Sequence, residues 1–143
     1  MQFLARFDPG RARIEGSLPA DEVDAVLASA GLALVTHSDR WLNHRLALPN
    51  KLFHAVRAGV PVVATDVGEL ARTVREHDLG ELYRPGDADD MVRAIERVVG
   101  RYAELQIHVR DAAGVLSWDT DGRALVVAYA TLQVSPTQTG ILD

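Results

Sequence analysis

Between residues 37 and 54 the chain gathers side chains able to hold a phosphorylated, hydroxyl-bearing ligand: His37, His44, Arg45, Asn50, Lys51 and His54. An arginine fork suits a diphosphate, so Arg45 is a candidate phosphate contact, against the plainer role of a solvent-exposed loop arginine. Lys51 falls in the first turn of an expected helix. A cation is unfavourable there unless an anion is bound, which sets a phosphate or sugar contact against a solvated surface lysine. Asn50 suits a helix cap better than a hydroxyl contact. A neutral His54 offers one acceptor and one donor, enough for one hydroxyl; its alternative is a half-buried histidine packed near Trp41 or Phe53. His37-Ser38-Asp39 contains triad residue types, but adjacent residues cannot converge on one another as triad members from separate elements do. A metal site from His37, Asp39 and His44 lacks helical i, i+4 spacing. No metal is expected, and no catalytic residue is assigned.

These residues need a scaffold, and the surrounding periodicity supplies one. Pro49 fixes φ for a first helical turn, Leu52, Phe53 and Val56 recur at helical spacing, and Gly59 suits the left-handed residue after a helix. Pro61 to Ala64 is a short apolar run suited to a strand covered on both faces. Upstream, Gln2–Ala5 and Arg13–Gly16 read as short strands around an Asp8-Pro9-Gly10 turn. Ser17-Leu18-Pro19 starts a helix with Val23, Val26, Leu27 and Ala30 buried, ended by Gly31. Leu32 to Thr36 is expected as a buried strand and His37 to Leu46 as a polar loop leaving its carboxyl end. Downstream come a helix over 69–77 with Leu70 and Val74 inward, a strand over 81–83, and a turn whose Asp87 caps the next helix. That helix buries Met91, Val92, Ile95, Val98 and Val99. Another, over 101–113, turns Tyr102, Leu105, Val109 and Ala112 to one face; the last runs over about 121–132. Trp41 and Trp118 are expected to pack, and Asp89, Asp90, Asp119 and Asp121 to be helix-start acids. The alternation predicts an α/β fold, a Rossmann-like parallel sheet with helices on both faces, over residues 1–132, followed by a disordered tail over 133–143.

The run Leu48-Pro49-Asn50-Lys51-Leu52-Phe53-His54, followed by Ala58-Gly59-Val60-Pro61-Val62-Val63, resembles the signature of group-1 glycosyltransferases of the GT-B fold. The similarity is dense from Leu46 to Asp66 and looser elsewhere, where Arg84-Pro85-Gly86-Asp87 and Ser117-Trp118-Asp119 resemble further family motifs. The resemblance implies a partial GT-B C-terminal domain, the half that binds a nucleotide-sugar as donor substrate, with no separate cofactor. It implies donor contacts at Arg45, Leu48, Pro49, Asn50, Lys51 and His54. Transfer of a sugar from a nucleoside diphosphate would be the parent activity, and the missing N-terminal acceptor domain the partner. The chain is accordingly expected to be a fragment that is inactive alone. One departure counts against a standard site: two family glutamates eight residues apart fall on Leu46 and His54. Their loss supports the alternative of a non-catalytic interaction or scaffold module. A response-regulator receiver is set aside, because Asp66 is a lone strand-end acid and Lys51 the only lysine.

Composition narrows the class. With 143 residues one domain is expected; a net charge of −5 without a basic block disfavours nucleic acid. No cysteine is present, which removes disulfides and thiolate chemistry and fits a cytoplasmic protein. No segment approaches the roughly 18 apolar residues of a membrane span, and any looser membrane association is left open. A truncated sheet would expose an edge, so homo-oligomerisation is a further expectation.

Overall fold

The structure, a computed structural model, describes residues 16–131. The expected strand at 2–5, the expected strand at 13–16 apart from Gly16, and the expected disordered tail lie outside these residues; Gly16 itself is in no strand. Within them the order is α1 (Val23–Ala30), β1 (Ala33–Val35), α2 (Leu42–Leu46), α3 (Asn50–Arg57), β2 (Val62–Thr65), α4 (Gly68–Glu76), β3 (Gly80–Tyr83), α5 (Ala88–Gly100), α6 (Tyr102–Ala112) and α7 (Trp118–Thr131). The strands form one parallel sheet in the order β1-β2-β3, with Ala33 opposite Val62 and Val62 opposite Gly80. This is the α/β architecture that the sequence predicts.

Alternation along the strands divides the core into two layers. Ala33, Val35, Val62 and Ala64 face a layer completed by Leu52 and Val56 of α3, Leu70 and Val74 of α4, and Val109 of α6. Val63 and Tyr83 face the opposite layer, filled by Ala94 and Val98 of α5 and Leu105 of α6. All four residues of β2 are buried, the expected result for a strand covered on both sides. β1 pairs with no other described strand along its outer edge.

Several burial expectations need correction. β1 is shorter than expected, and its middle residue Leu34 is 45% exposed, because α5 packs over β2 and β3 without reaching the sheet edge. On α1, Val23 and Leu27 are half-buried, but Val26 and Ala30 are exposed, since the helix rests mainly against α3. On α5, Ala94 and Val98 are buried and Met91 and Ile95 half-buried, whereas Val92 and Val99 face solvent. The five apolar residues span more of the helix circumference than the facing layer covers, so only part of the expected stripe is buried. Trp41 and Trp118 are 63% and 74% exposed rather than packed. Each stands at the start of a short or weakly docked helix, and α7 buries none of its residues. The loop over 37–46 contains α2, and α7 begins at Trp118, earlier than expected.

Turn and cap chemistry agrees with the sequence. Gly31 and Gly59 both adopt left-handed φ at helix ends, +74° and +68°. Asp87 accepts a hydrogen bond from the Asp90 amide at 2.8 Å, capping α5. Asp87→Ala is expected to lower stability by about 1 kcal/mol, read as a shift in the urea midpoint without a change in slope.

Arg101, at the start of α6, ties the helical layer to the α4–β3 turn. Its guanidinium donates to Asp78 at 2.7 Å, Glu81 at 2.9 Å and Glu104 at 3.0 Å. These contacts, Glu104 first, raise its pKa further. Asp78 itself has φ +47° and also meets His108 Nδ1 at 2.9 Å. Asp78, Glu104 and His108 are close enough to surround a cation, but the Arg101 guanidinium already supplies the positive charge they share.

Candidate functional site

The stretch that carries the sequence motif is an exposed helix start seated on a buried helix face. In α3, Leu52, Ala55 and Val56 are buried against the sheet, which turns Asn50, Phe53, His54 and Arg57 outward. Pro49 takes the N-cap position in an extended conformation (φ −76°, ψ 143°), and helical geometry starts at Asn50. No side chain caps the helix, so the expected Asn50 cap is not formed. Asn50 is already the first helical residue, and a cap must sit one position earlier, where proline offers no side-chain acceptor. Lys51 is exposed in this first turn and forms no ion pair with another described residue. Leu48 packs against the first core layer and Pro49 is half-buried, so both help to fix the entry to α3.

Arg45 is held by its neighbours. Its Nε donates to the Asp39 carbonyl at 3.0 Å, clasping the loop that leaves β1. Behind it, the Arg45 backbone approaches Gly68 so closely that a Cβ there would lie 1.9 Å from the Arg45 carbonyl oxygen. Gly68 also has φ +48°, so glycine is required twice over. The two loop histidines stack, with ring centroids 4.9 Å apart. His37 Nδ1 meets the His44 carbonyl oxygen at 3.1 Å, and the Ser38 amide donates to His44 Nδ1 at 3.3 Å. The His37 amide donates to Thr65 Oγ1 at 2.7 Å, joining this loop to the carboxyl end of β2. Thr65, Tyr83, His37 and Arg40 line a shallow crevice of about 350 Å³ at the strand ends. Burial raises the Tyr83 phenol pKa.

His54 has a partner that sequence reasoning missed. Asp24 of α1 places Oδ1 2.7 Å from His54 Nδ1 and accepts from Arg57 Nε at 2.9 Å through Oδ2. Thirty positions separate Asp24 from His54, and Asp24 lies in the first turn of α1, where no sequence signal pairs it with α3. The expected packing of His54 on Phe53 or Trp41 gives way to this polar cluster. The His54 hydrogen bond, followed by the Arg57 guanidinium, lowers the Asp24 pKa despite partial desolvation. Such a carboxylate stabilises the fold above its unfolded pKa near 4, and the contribution is lost as pH falls through the lower folded value. Asp24→Asn is therefore expected to lower the urea midpoint at pH 6, with the difference from wild type vanishing towards pH 2. His54, Asn50, Phe53 and Arg57 form one wall of a groove of about 490 Å³ whose other wall is Ser117 and Trp118 at the start of α7.

The sequence family described as glycosyl transferases group 1 matches residues 2–101, more than half of the chain. The chain belongs to the group 1 glycosyltransferases. This group 1 chain is also similar to a D-inositol 3-phosphate glycosyltransferase of Geodermatophilus obscurus, with 39% identity over 75 residues. The similarity covers 52% of this chain but only 17% of that protein. No solved structure matches. The α/β sheet and its helices agree with a Rossmann-like partial GT-B domain. No helix among the described residues is long and apolar enough to cross a membrane.

Proposed function

We propose that this chain carries part of the donor site of a glycosyltransferase that moves a sugar from a nucleoside diphosphate to an acceptor. One observation carries the reading: α3 begins without a side-chain cap, directly after the loop leaving β1 and inside the family match. The Leu52 N–H already donates to the Pro49 carbonyl at 2.9 Å, so the Asn50 and Lys51 N–H groups are the ones left to a phosphate, and the helix dipole favours an anion there. Lys51 adds a full positive charge in the same turn, and Arg45 of α2, held on the Asp39 carbonyl, supplies a second cation. Leu48 and Pro49 shape the entry, Asn50 offers an amide, and His54 meets a hydroxyl. The donor is a substrate, and no separate cofactor takes part.

In such a site the protein acts mainly through electrostatics. Fixed N–H dipoles and cations stabilise the departing diphosphate while the sugar gains positive character. This chain alone is expected to bind donor without transferring it. Sugar transfer or donor hydrolysis by the purified chain would refute that part.

A second reading, a non-catalytic scaffold derived from such a domain, is favoured by Leu46. The family places an acid at this position, whereas Leu46 is exposed and has no polar group. NMR shift mapping with UDP, GDP, ADP and their sugar conjugates at millimolar concentration separates the two. The donor reading expects shifts at residues 48–54 and in the 37–45 loop; a folded protein silent in both places would leave the scaffold.

A further inference from the structure

α2 turns its apolar side outward. Leu42 and Leu46 stand one turn apart on one face and are 71% and 66% exposed, and Trp41 at the N-cap is 63% exposed. His44, two positions from each leucine and so on the opposite face, is half-buried and stacks on His37. A surface helix ordinarily buries its apolar stripe and exposes its polar one. Here an imidazole is turned in and three large apolar side chains are turned out. Single exposed leucines need no explanation, but a contiguous apolar patch marks a contact.

Charge identifies what covers it. Apart from histidines, the charged residues between 36 and 53 are Asp39, Arg40, Arg45 and Lys51, a local excess of positive charge in a chain of net charge −5. Arg40 and Arg45 are exposed and form no ion pair with another described residue, whereas the arginines of α4 and α5 are all paired. Arg45 commits only its Nε, to the Asp39 carbonyl. We propose that the outward face of α2 is a docking surface for an anionic lipid bilayer. Trp41, Leu42 and Leu46 enter the boundary between headgroups and acyl chains, and Arg40 and Arg45 meet lipid phosphates. Three side chains fall well short of the roughly 800 Å² that each side of a stable protein interface covers. A bilayer requires no complementary shape, and tryptophan flanked by arginine suits its interfacial layer. The acidic remainder of the chain does not oppose the contact, because charges more than about 8 Å from the surface are screened at physiological salt. The proposal goes beyond the donor-site reading and does not depend on it.

Trp41 and Trp118 are the two tryptophans of the chain, so each can be made the sole reporter. The full chain carrying Trp118→Phe is mixed with vesicles of phosphatidylcholine alone, or of phosphatidylcholine and phosphatidylglycerol in equal parts. Trp41 emission is expected to shift to the blue and to be quenched by brominated acyl chains with the anionic vesicles only, and the shift is expected to shrink as salt rises. Arg40→Gln should weaken partitioning about fivefold, the effect of one basic residue near such a surface. Leu42→Ser should weaken it severalfold in a protein that keeps its dispersed amide spectrum. The companion chain carrying Trp41→Phe should bind the same vesicles severalfold more weakly, with Trp118 emission unshifted. Failure to bind either vesicle overturns the proposal, and equal binding to both removes the role of the arginines. A blue shift of Trp118 in place of Trp41 moves the contact to α7 and overturns it. Self-association that Leu42→Ser abolishes, measured by light scattering in a chain that ignores vesicles, assigns the face to a second copy instead.

Discussion

Gly68→Ala is expected to destabilise the fold by about 3 kcal/mol, since a left-handed φ and a backbone clash act at one position. At φ +48° an alanine is strained before any neighbour is considered. Its Cβ would also meet the Arg45 carbonyl oxygen at 1.9 Å, and backbone cannot swing aside as a side chain can. Relief requires α2 and α4 to separate, which disturbs the loop that presents Arg45. Gly86→Ala is the control: φ is +79°, but nothing lies within 4 Å of the added carbon, so about 1 kcal/mol is expected. Urea unfolding of the two variants reads the difference. Equal losses would mean that the dihedral alone matters and that the close approach to Arg45 is easily relaxed.

Leu52→Ala is expected to cost about 2–5 kcal/mol, the range for removing a fully buried leucine. Leu52 has no exposed surface and stands one turn from the uncapped start of α3, in the layer shared with Val35, Val62 and Leu70. A cavity here weakens the contact that turns Lys51 and His54 outward, so the loss should appear in nucleotide shift mapping as well as in stability. Val92→Ala provides the contrast. Val92 is 50% exposed on α5, and its truncation should stay within about 0.5 kcal/mol. If Val92→Ala cost as much as Leu52→Ala, the assignment of α5's outer face would be wrong.

The order of elements was legible because its signals are local. Gly31 and Gly59 end helices with positive φ, Asp87 caps α5, and the Val62–Thr65 run is buried on both faces. Burial on the outer helices was less legible. Val26, Val92 and Val99 are as apolar as their buried neighbours, and only the limited reach of the facing layer leaves them in solvent. Trp41 and Trp118 misled for a related reason, since an aromatic side chain signals packing only where another element arrives to cover it. In α3, helix spacing correctly paired Leu52 with Val56 in the core, but it also turned Phe53 that way, whereas Phe53 is half-buried and lines the groove beside His54. The Asp24–His54 contact was not legible, because it joins two helices through the packing of α1 on α3, and no spacing within either helix encodes that pairing.

The central position of β2 also sets the timetable on which the backbone opens. Each of its edges is paired with a neighbour and each of its faces is covered, so its amides can exchange with deuterated water only when the whole sheet comes apart. β1 has a described neighbour on one side only, and α7 buries none of its residues. Their protection should therefore fail at lower free energies, α7 first and then β1. The slowest amides of Val62 to Thr65 thus measure the global stability of the domain, whereas those of α7 measure only how firmly the last helix is held.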